Sequence, residues 1–153
     1  MNAVNDPVDM GEKIRQRIAQ VNADVPGSIA QIMQFQLVDF DAGRNDYTMT
    51  CETMPWMRNY AGTLHGGLCA TILDQAMGFV SCCLKKEEGA APTVHLEVDY
   101  HRPLHPGEQV LVKVHVVSAT RSLMNLKAEA FQASNPEKIC LSGSGIYFCK
   151  PKS

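Results

Sequence analysis

Apolar positions along the chain fall into one long run and several short alternations. The run follows Asn59, in NYAGTLHGGLCATILDQAMGFVSCCL, where a loop and a Gly-Gly turn lead into a segment whose only non-apolar members from Leu68 to Leu84 are Thr71, Asp74, Gln75, Gly78 and Ser81. A helix with hardly any polar face is a buried helix. The run is longer than strands usually are, and Ala, Leu and Met favour helix. It approaches membrane-spanning length, but a central Asp would cost about 2.5 to 3.5 kcal/mol there and no second span accompanies it. The pattern therefore predicts a buried helix with a carboxylate in its middle.

The alternations lie on both sides of that helix. Downstream, Thr93 to His101 places Val94, Leu96, Val98 and Tyr100 on one face and His95, Glu97, Asp99 and His101 on the other. After the Pro103 and Pro106-Gly107 turn, Gln109 to Ser118 alternates through Val110, Val112, Val114 and Val116; Arg121 to Ala133 and Lys138 to Phe148 follow, with Asn135-Pro136 turning between them. Upstream, Asp9 to Asn22 spaces Ile14, Ile18 and Val21 as a small amphipathic helix with Asp9 as N-cap, after about eight flexible residues, and Pro26-Gly27 ends it. Ile29 to Asp41 and Asp46 to Thr53 read as a hairpin across the turn Asp41 to Asn45. Met54 to Leu64 is a loop whose Trp56 either packs or lines a pocket, and Lys85 to Pro92 is a charged connection. An antiparallel sheet needs an apolar cover on one face, and the central helix is the only candidate. The expected architecture is one α+β domain over residues 1–153, a sheet wrapped around one helix.

Composition narrows the function classes. A chain of 153 residues, 45% hydrophobic and 20% charged, is an ordinary soluble domain, and a net charge of -2 supplies no basic field for nucleic acid. Neither nucleic acid nor membrane is an expected partner. The start lacks a basic and apolar leader pattern, so the expected location is cytoplasmic. The six cysteines show no CxxC spacing and read as small hydrophobes. His101 and His105 are four apart, but Pro103 and Pro106 rule out the helix that would align them, so no metal site is expected.

Asp74 is the most informative residue. Desolvating a charge costs several kcal/mol unless a partner or a function retains it. From the residues alone, an exposed strip shared with Thr71 and Gln75, a buried ion pair and a reactive carboxylate all remain open.

Asn59, Gly62, His65-Gly66-Gly67, Thr71, Asp74 and Gly78, with TVHLEVDYHRPLHPGEQV downstream, resemble the hotdog-fold acyl-CoA thioesterases, specifically the phenylacetate-pathway type with its Asn-x-x-Gly-x-x-His-Gly-Gly motif and helix Asp. The resemblance covers nearly all of the chain after about residue 29. It implies a hotdog fold, hydrolysis of acyl- or aryl-CoA, and no cofactor beyond the coenzyme A of the substrate. It makes Asp74 the general base or nucleophile and the Gly66 amide the oxyanion donor, where helix-terminal N–H groups favour negative charge and glycine lets the substrate approach. It also implies that Asn59 orients water or thioester, that His65 holds the loop or the carbonyl, and that Thr93 places a hydroxyl near the water. Gly67, Thr120, Arg121 and Ser122 would bind substrate or the nucleotide end of CoA, with Arg58, Lys85, Lys86 and Arg102 as further basic candidates. Simpler roles exist: Asn59 terminating a loop, His65 capping the helix, Thr93 opening a strand.

Gly66 and Asp74 lie eight residues apart, roughly 12 Å along a helix rising about 1.5 Å per residue. One carbonyl cannot touch both, because a reacting atom lies about 3 Å from nucleophile and oxyanion donor alike. The resemblance resolves this with an isologous homodimer whose sites are shared between subunits, in some cases paired into a dimer of dimers. Leu68, Ile72, Met77 and Trp56 would line the acyl pocket. Two other readings are a hotdog hydratase or dehydratase, whose Gly-Asp-x-Asn-Pro-type motif the chain lacks, and a non-catalytic acyl-CoA sensor.

Overall fold

The computed structural model describes residues 7–84 and 89–149, with side chains from Met10 onward. The elements run α1 (Pro7–Asp24), α2 (Ile29–Ile32), β1 (Gln36–Asp41), β2 (Asp46–Cys51), a 3-10 turn (Pro55–Met57), α3 (Gly66–Leu84), β3 (Thr93–Tyr100), β4 (Val110–Ala119), β5 (Leu123–Gln132) and β6 (Ile139–Phe148). All strand pairings are antiparallel and form one sheet in the order β1-β2-β4-β5-β6-β3. Consecutive strands β4, β5 and β6 remain neighbours across short turns, as connected strands usually do. Among the described residues β3 is displaced to the far edge, beside β6 alone.

The sheet curves around α3, which packs against β2, β3, β4, β5 and β6. Period-2 alternation builds the concave face: Val110, Val112, Val114 and Val116 of β4 and Met124, Leu126, Ala128 and Ala130 of β5 are buried. Beneath the middle of α3 this face is stripped of side chains. A Cβ on Gly143 would lie 3.0 Å from Leu73 Cδ1 and 2.5 Å from the Glu97 carbonyl oxygen, so the glycine sets how closely helix and sheet approach. α1 closes the other flank of α3 with Met10, Ile14 and Ile18, and Gly11 lies flush on the Phe40 ring where a Cβ would overlap it. α3 has the length and hydropathy of a membrane span, yet it is the core of this sheet.

Several sequence expectations change. α1 begins at Pro7, so Asp9 lies inside it and residues 7 and 8 are helical; proline suits the first helical position because its missing N–H is unpaired there anyway. Residues 1–6 and the Lys85, Lys86 candidates lie outside the described residues. The first part of the expected strand Ile29 to Asp41 is helical, because Ser28 caps α2 through the Gln31 amide, and the chain turns at Gln34 (φ 47°) before β1 starts. Trp56 is 61% exposed in this chain and is no core residue, and Ile72 and Met77, expected at a pocket wall, are wholly buried in the helix–sheet core. On β3 only Leu96 and Val98 are half-buried, while Val94 and Tyr100 are 59% and 55% exposed, because an edge strand has a neighbour on one side only.

Candidate active site

The first turn of α3 is organised by His65. Its backbone carbonyl accepts from Leu68 N and Cys69 N, and its ring Nδ1 accepts from Gly67 N at 3.1 Å, so the residue is the helix cap. An accepting Nδ1 leaves the proton of the neutral ring on Nε2. Gly67 thus uses its N–H locally. Gly66 N–H has no acceptor among the described residues, and the opposite group of the same residue, its carbonyl, accepts from Tyr100 OH at 2.6 Å. Around Gly66 there is room, the nearest atom to a built Cβ being Tyr100 Oη at 3.6 Å.

The preceding loop closes on itself through Asn59. Its Nδ2 donates to Thr63 Oγ1 at 2.9 Å and its Oδ1 accepts from Thr63 N at 3.1 Å, with Asn59 N donating to Thr63 O. Gly62, at φ 83°, supplies the left-handed turn this closure needs. Within one chain Asn59 shapes the loop and makes no hydrogen bond to Asp74.

Two turns further along α3, Asp74 is half-buried and is paired with no Lys or Arg among the described residues. Its Oδ1 accepts from Thr93 Oγ1 at 2.8 Å and from Tyr147 OH at 2.8 Å. Thr93, expected to place a hydroxyl near the water, instead donates to Asp74 of its own chain. This bond depends on a bulge: Thr93 pairs with Tyr147 and His95 with Ile146, leaving Val94 unopposed. Thr93 and Leu96 are an odd number of residues apart and would face opposite sides of a regular strand; the extra residue turns both toward α3. β3 therefore runs antiparallel to α3 and bonds to it twice, at Asp74 through Thr93 and at Gly66 through Tyr100. The alternation missed Thr93's orientation because it assumed no bulge, and it assigned Tyr100 only to an apolar face.

Tyr147 is the residue the sequence reading missed. It is 1% exposed, and burial first, then the neighbouring Asp74 charge, raises its phenol above the usual range, so it stays a protonated donor. Burial likewise pushes the Cys51 thiol to about 12 and the Cys69 and Cys83 thiols to about 11, which removes these three as thiolate nucleophiles near neutral pH.

The turn Thr120-Arg121-Ser122 lies at the same end of the sheet. Thr93, Tyr147, Met124 and Ala119 form one row across β3, β6, β5 and β4, and the turn follows directly from Ala119. At about 4.8 Å per strand, roughly 10 Å separates β3 from β5 in that row. Thr120 closes the turn through Leu123, Ser122 O accepts from Cys149 N, and Arg121 is exposed. Arg102 donates to Ile139 O at 2.8 Å at the opposite end of β3. The arrangement offers an anionic oxygen, a free helix-terminal amide and a basic turn, the parts of an acyl-transfer site.

Comparison with known proteins agrees with this geometry. The sequence profile described as Thioesterase superfamily matches residues 61–139, more than half of the chain. Acyl-coenzyme A thioesterase 13 of Mus musculus is 33% identical over 66 residues, 42% of this chain and 46% of that protein, and its Homo sapiens counterpart is 35% identical over the same shares. The match spans about half the length of each relative. Among solved structures, the Escherichia coli PaaI protein of the phenylacetic acid degradation operon superimposes with a TM-score of 0.74 at 15% identity, covering 94% of this chain and 98% of that one. Thioesterase superfamily member 2 of Mus musculus gives 0.71 at 18%, covering 91% and 96%. A Streptococcus mutans protein bound to acetyl CoA gives 0.65 at 22%, covering 77% and 90%. At these identities the structural likeness is one of fold, and together with the sequence match it establishes that the chain is a hotdog-fold member of the thioesterase superfamily.

Proposed function

We propose that the protein is an acyl-CoA thioesterase, releasing a free acid and coenzyme A. The observation that carries the reading is Asp74, the one charged residue of α3, paired with no cation among the described residues and held by two hydroxyls. Asp74 is half-buried beside the half-buried Thr71 and Gln75, so water and the two hydroxyls can satisfy its charge without a cation, and they give it the fixed direction and open oxygen that chemistry needs. The carboxylate takes a proton from water as the water oxygen attacks the thioester carbonyl, or attacks that carbon itself and is then released by water. The Gly66 N–H holds the oxyanion, and collapse expels the CoA thiolate, which is then protonated. Neither route requires a metal or a resident cofactor. In support, the chain belongs to a superfamily named for the reaction, its relatives include acyl-coenzyme A thioesterases, and a protein of the same fold binds acetyl CoA.

The active unit in this proposal is a homodimer. Asp74 and Gly66 are roughly 12 Å apart along α3 at about 1.5 Å per residue, too far for one carbonyl. β3 has an unpaired edge carrying the exposed Val94 and Tyr100, which suits antiparallel pairing with the same edge of a second copy. Asp74 of one subunit would then work with Gly66, His65 and Asn59 of the other, and pairing of dimers into tetramers would leave these sites unchanged. The turn Thr120-Arg121-Ser122 would meet the CoA phosphates, with Arg121 as the charged contact. A thiol-release screen across short, medium, long and aryl acyl-CoAs tests the activity and ranks the acyl groups. Turnover of at least one class is expected; saturable binding without turnover of any would replace the enzyme with an acyl-CoA-binding protein.

A further inference from the structure

We infer that Tyr147 is a positioning residue for the reaction: seated on Gly145, it combines with Thr93 to occupy Asp74 Oδ1 and leaves Oδ2 as the oxygen that meets water or thioester. The inference rests on the thioesterase reading of Asp74. A carboxylate oxygen has about two lone-pair sites. Oδ1 fills both, one with the Thr93 hydroxyl and one with the Tyr147 phenol, each at 2.8 Å. Oδ2 has no protein donor among the described residues. The two hydroxyls are supplied by residues directly opposite each other in the β3–β6 pairing, so one ladder position delivers both.

The seat is specific. A Cβ on Gly145 would stand 2.6 Å from Tyr147 Cε2, 3.1 Å from its Oη and 3.1 Å from Met77 Cε, so the ring lies across a glycine and under α3. Tyr147 OH also lies 3.2 Å from the Asp74 backbone carbonyl, which centres it between the side chain and the main chain of the same residue. Any other residue at position 145 would lift the phenol off this line. Tyr147 lies beyond the segment matched by the superfamily profile, and its role follows from this chain's own geometry.

The experiment combines kinetics with crystallography of variants. Tyr147→Phe keeps the ring and removes the donor; kcat is expected to fall about 10- to 100-fold with KM within about twofold, the size of a misdirected group that does not touch substrate. Thr93→Val should behave similarly and Thr93→Ser should restore turnover. In an Asp74→Asn background Tyr147→Phe should cost nothing further, because the residue acts only through Asp74. Gly145→Ala should mimic Tyr147→Phe, and its crystal structure should show the ring displaced. Wild-type kcat in Tyr147→Phe, or equal losses with and without Asp74, would overturn the inference. Should the wild type hydrolyse no acyl-CoA, the thioesterase reading fails by itself, and the crystal structure of Tyr147→Phe still decides the geometry: a rotated or doubled Asp74 carboxylate supports the clamp, and an unmoved one overturns it.

Discussion

The two points of α3 that the proposed reaction uses are held by different means. Its first turn is fixed mainly by near neighbours in sequence, with Tyr100 of β3 as one distant donor to the Gly66 carbonyl: His65 caps Gly67, Asn59 closes on Thr63, and Gly66 keeps an unused N–H. Its middle is fixed by distant ones, since Thr93 and Tyr147 reach Asp74 from two strands 19 and 73 residues away. The first turn displays a backbone group that proline alone among side-chain changes deletes. The middle displays a side chain whose direction depends on strand register. A local device thus presents the donor, and a tertiary device aims the carboxylate.

The largest effect should come from the middle. Asp74→Asn is expected to reduce thioester hydrolysis by about 100-fold or more, the loss typical of a missing general base, while the melting temperature holds or rises because a half-buried charge is removed. Thiol release and a melt on the same preparation check it. A variant that unfolds, or that keeps most of its turnover, would make Asp74 structural. Asp74 would then be the retained Asp of an ordinary core helix.

The next effect should come from the first turn. Gly66 is the opening residue of α3, where proline is tolerated, so Gly66→Pro deletes one N–H and little else. Removing an oxyanion donor of this kind costs about 100-fold or more in kcat. Gly66→Ala retains the N–H and has room for its methyl, so it should stay within about tenfold of wild type. If Pro and Ala variants of equal stability lose activity equally, the amide is not the donor.

A smaller effect is expected of His65→Ala. It removes the acceptor of Gly67 N–H, and a lost cap costs about 1 kcal/mol, a fall of roughly 2 to 4 °C in melting temperature for a chain of this size. Turnover should fall less than in Gly66→Pro. A loss as large as that of Asp74→Asn would instead give the exposed ring a direct part in the chemistry.

The smallest effect is in the alkaline melt. Tyr147 is raised by burial and by Asp74 above its ordinary value of 10.0, so the folded chain keeps a proton that the unfolded chain releases. Its contribution is complete below that ordinary value and is lost progressively as pH rises above it, so the melting temperature should fall as pH rises through about 10 and beyond. Tyr147→Phe should lessen this slope, the rest of which comes from the buried Tyr47 phenol and the raised Cys51, Cys69 and Cys83 thiols. Tyr100→Phe, which removes a half-exposed phenol on the first turn, should change it little.

The same contrast explains what could be read from the chain. The buried helix, its lone carboxylate and the strands from Thr93 onward are local patterns, and they stand within a residue or two of where the alternation puts them, whereas Gly66-Gly67, expected as a turn, forms the first two residues of α3. The superfamily was legible as a resemblance carried by Asn59, His65-Gly66-Gly67 and Asp74, and the profile match over residues 61–139 agrees with it. The clamp on Asp74 was not legible, because it needs the bulge at Val94 and the pairing of Thr93 with Tyr147, both properties of the assembled sheet. Nor was α2, where a Ser28 cap outweighs the extended pattern that follows it. The exposure of Val94 is equally a tertiary fact, set by β3 ending at the sheet edge.

Site sharing between subunits is the central claim, and mixing two inactive variants tests it most directly. Asp74→Asn and Gly66→Pro, each inactive alone, are unfolded and refolded together in equal amounts. If Asp74 of one subunit works with Gly66 of the other, each mixed dimer holds one intact site and one doubly damaged site. Half of the dimers are mixed under random pairing, so roughly a quarter of wild-type activity should return. No recovery in folded, demonstrably mixed dimers would contradict the shared site.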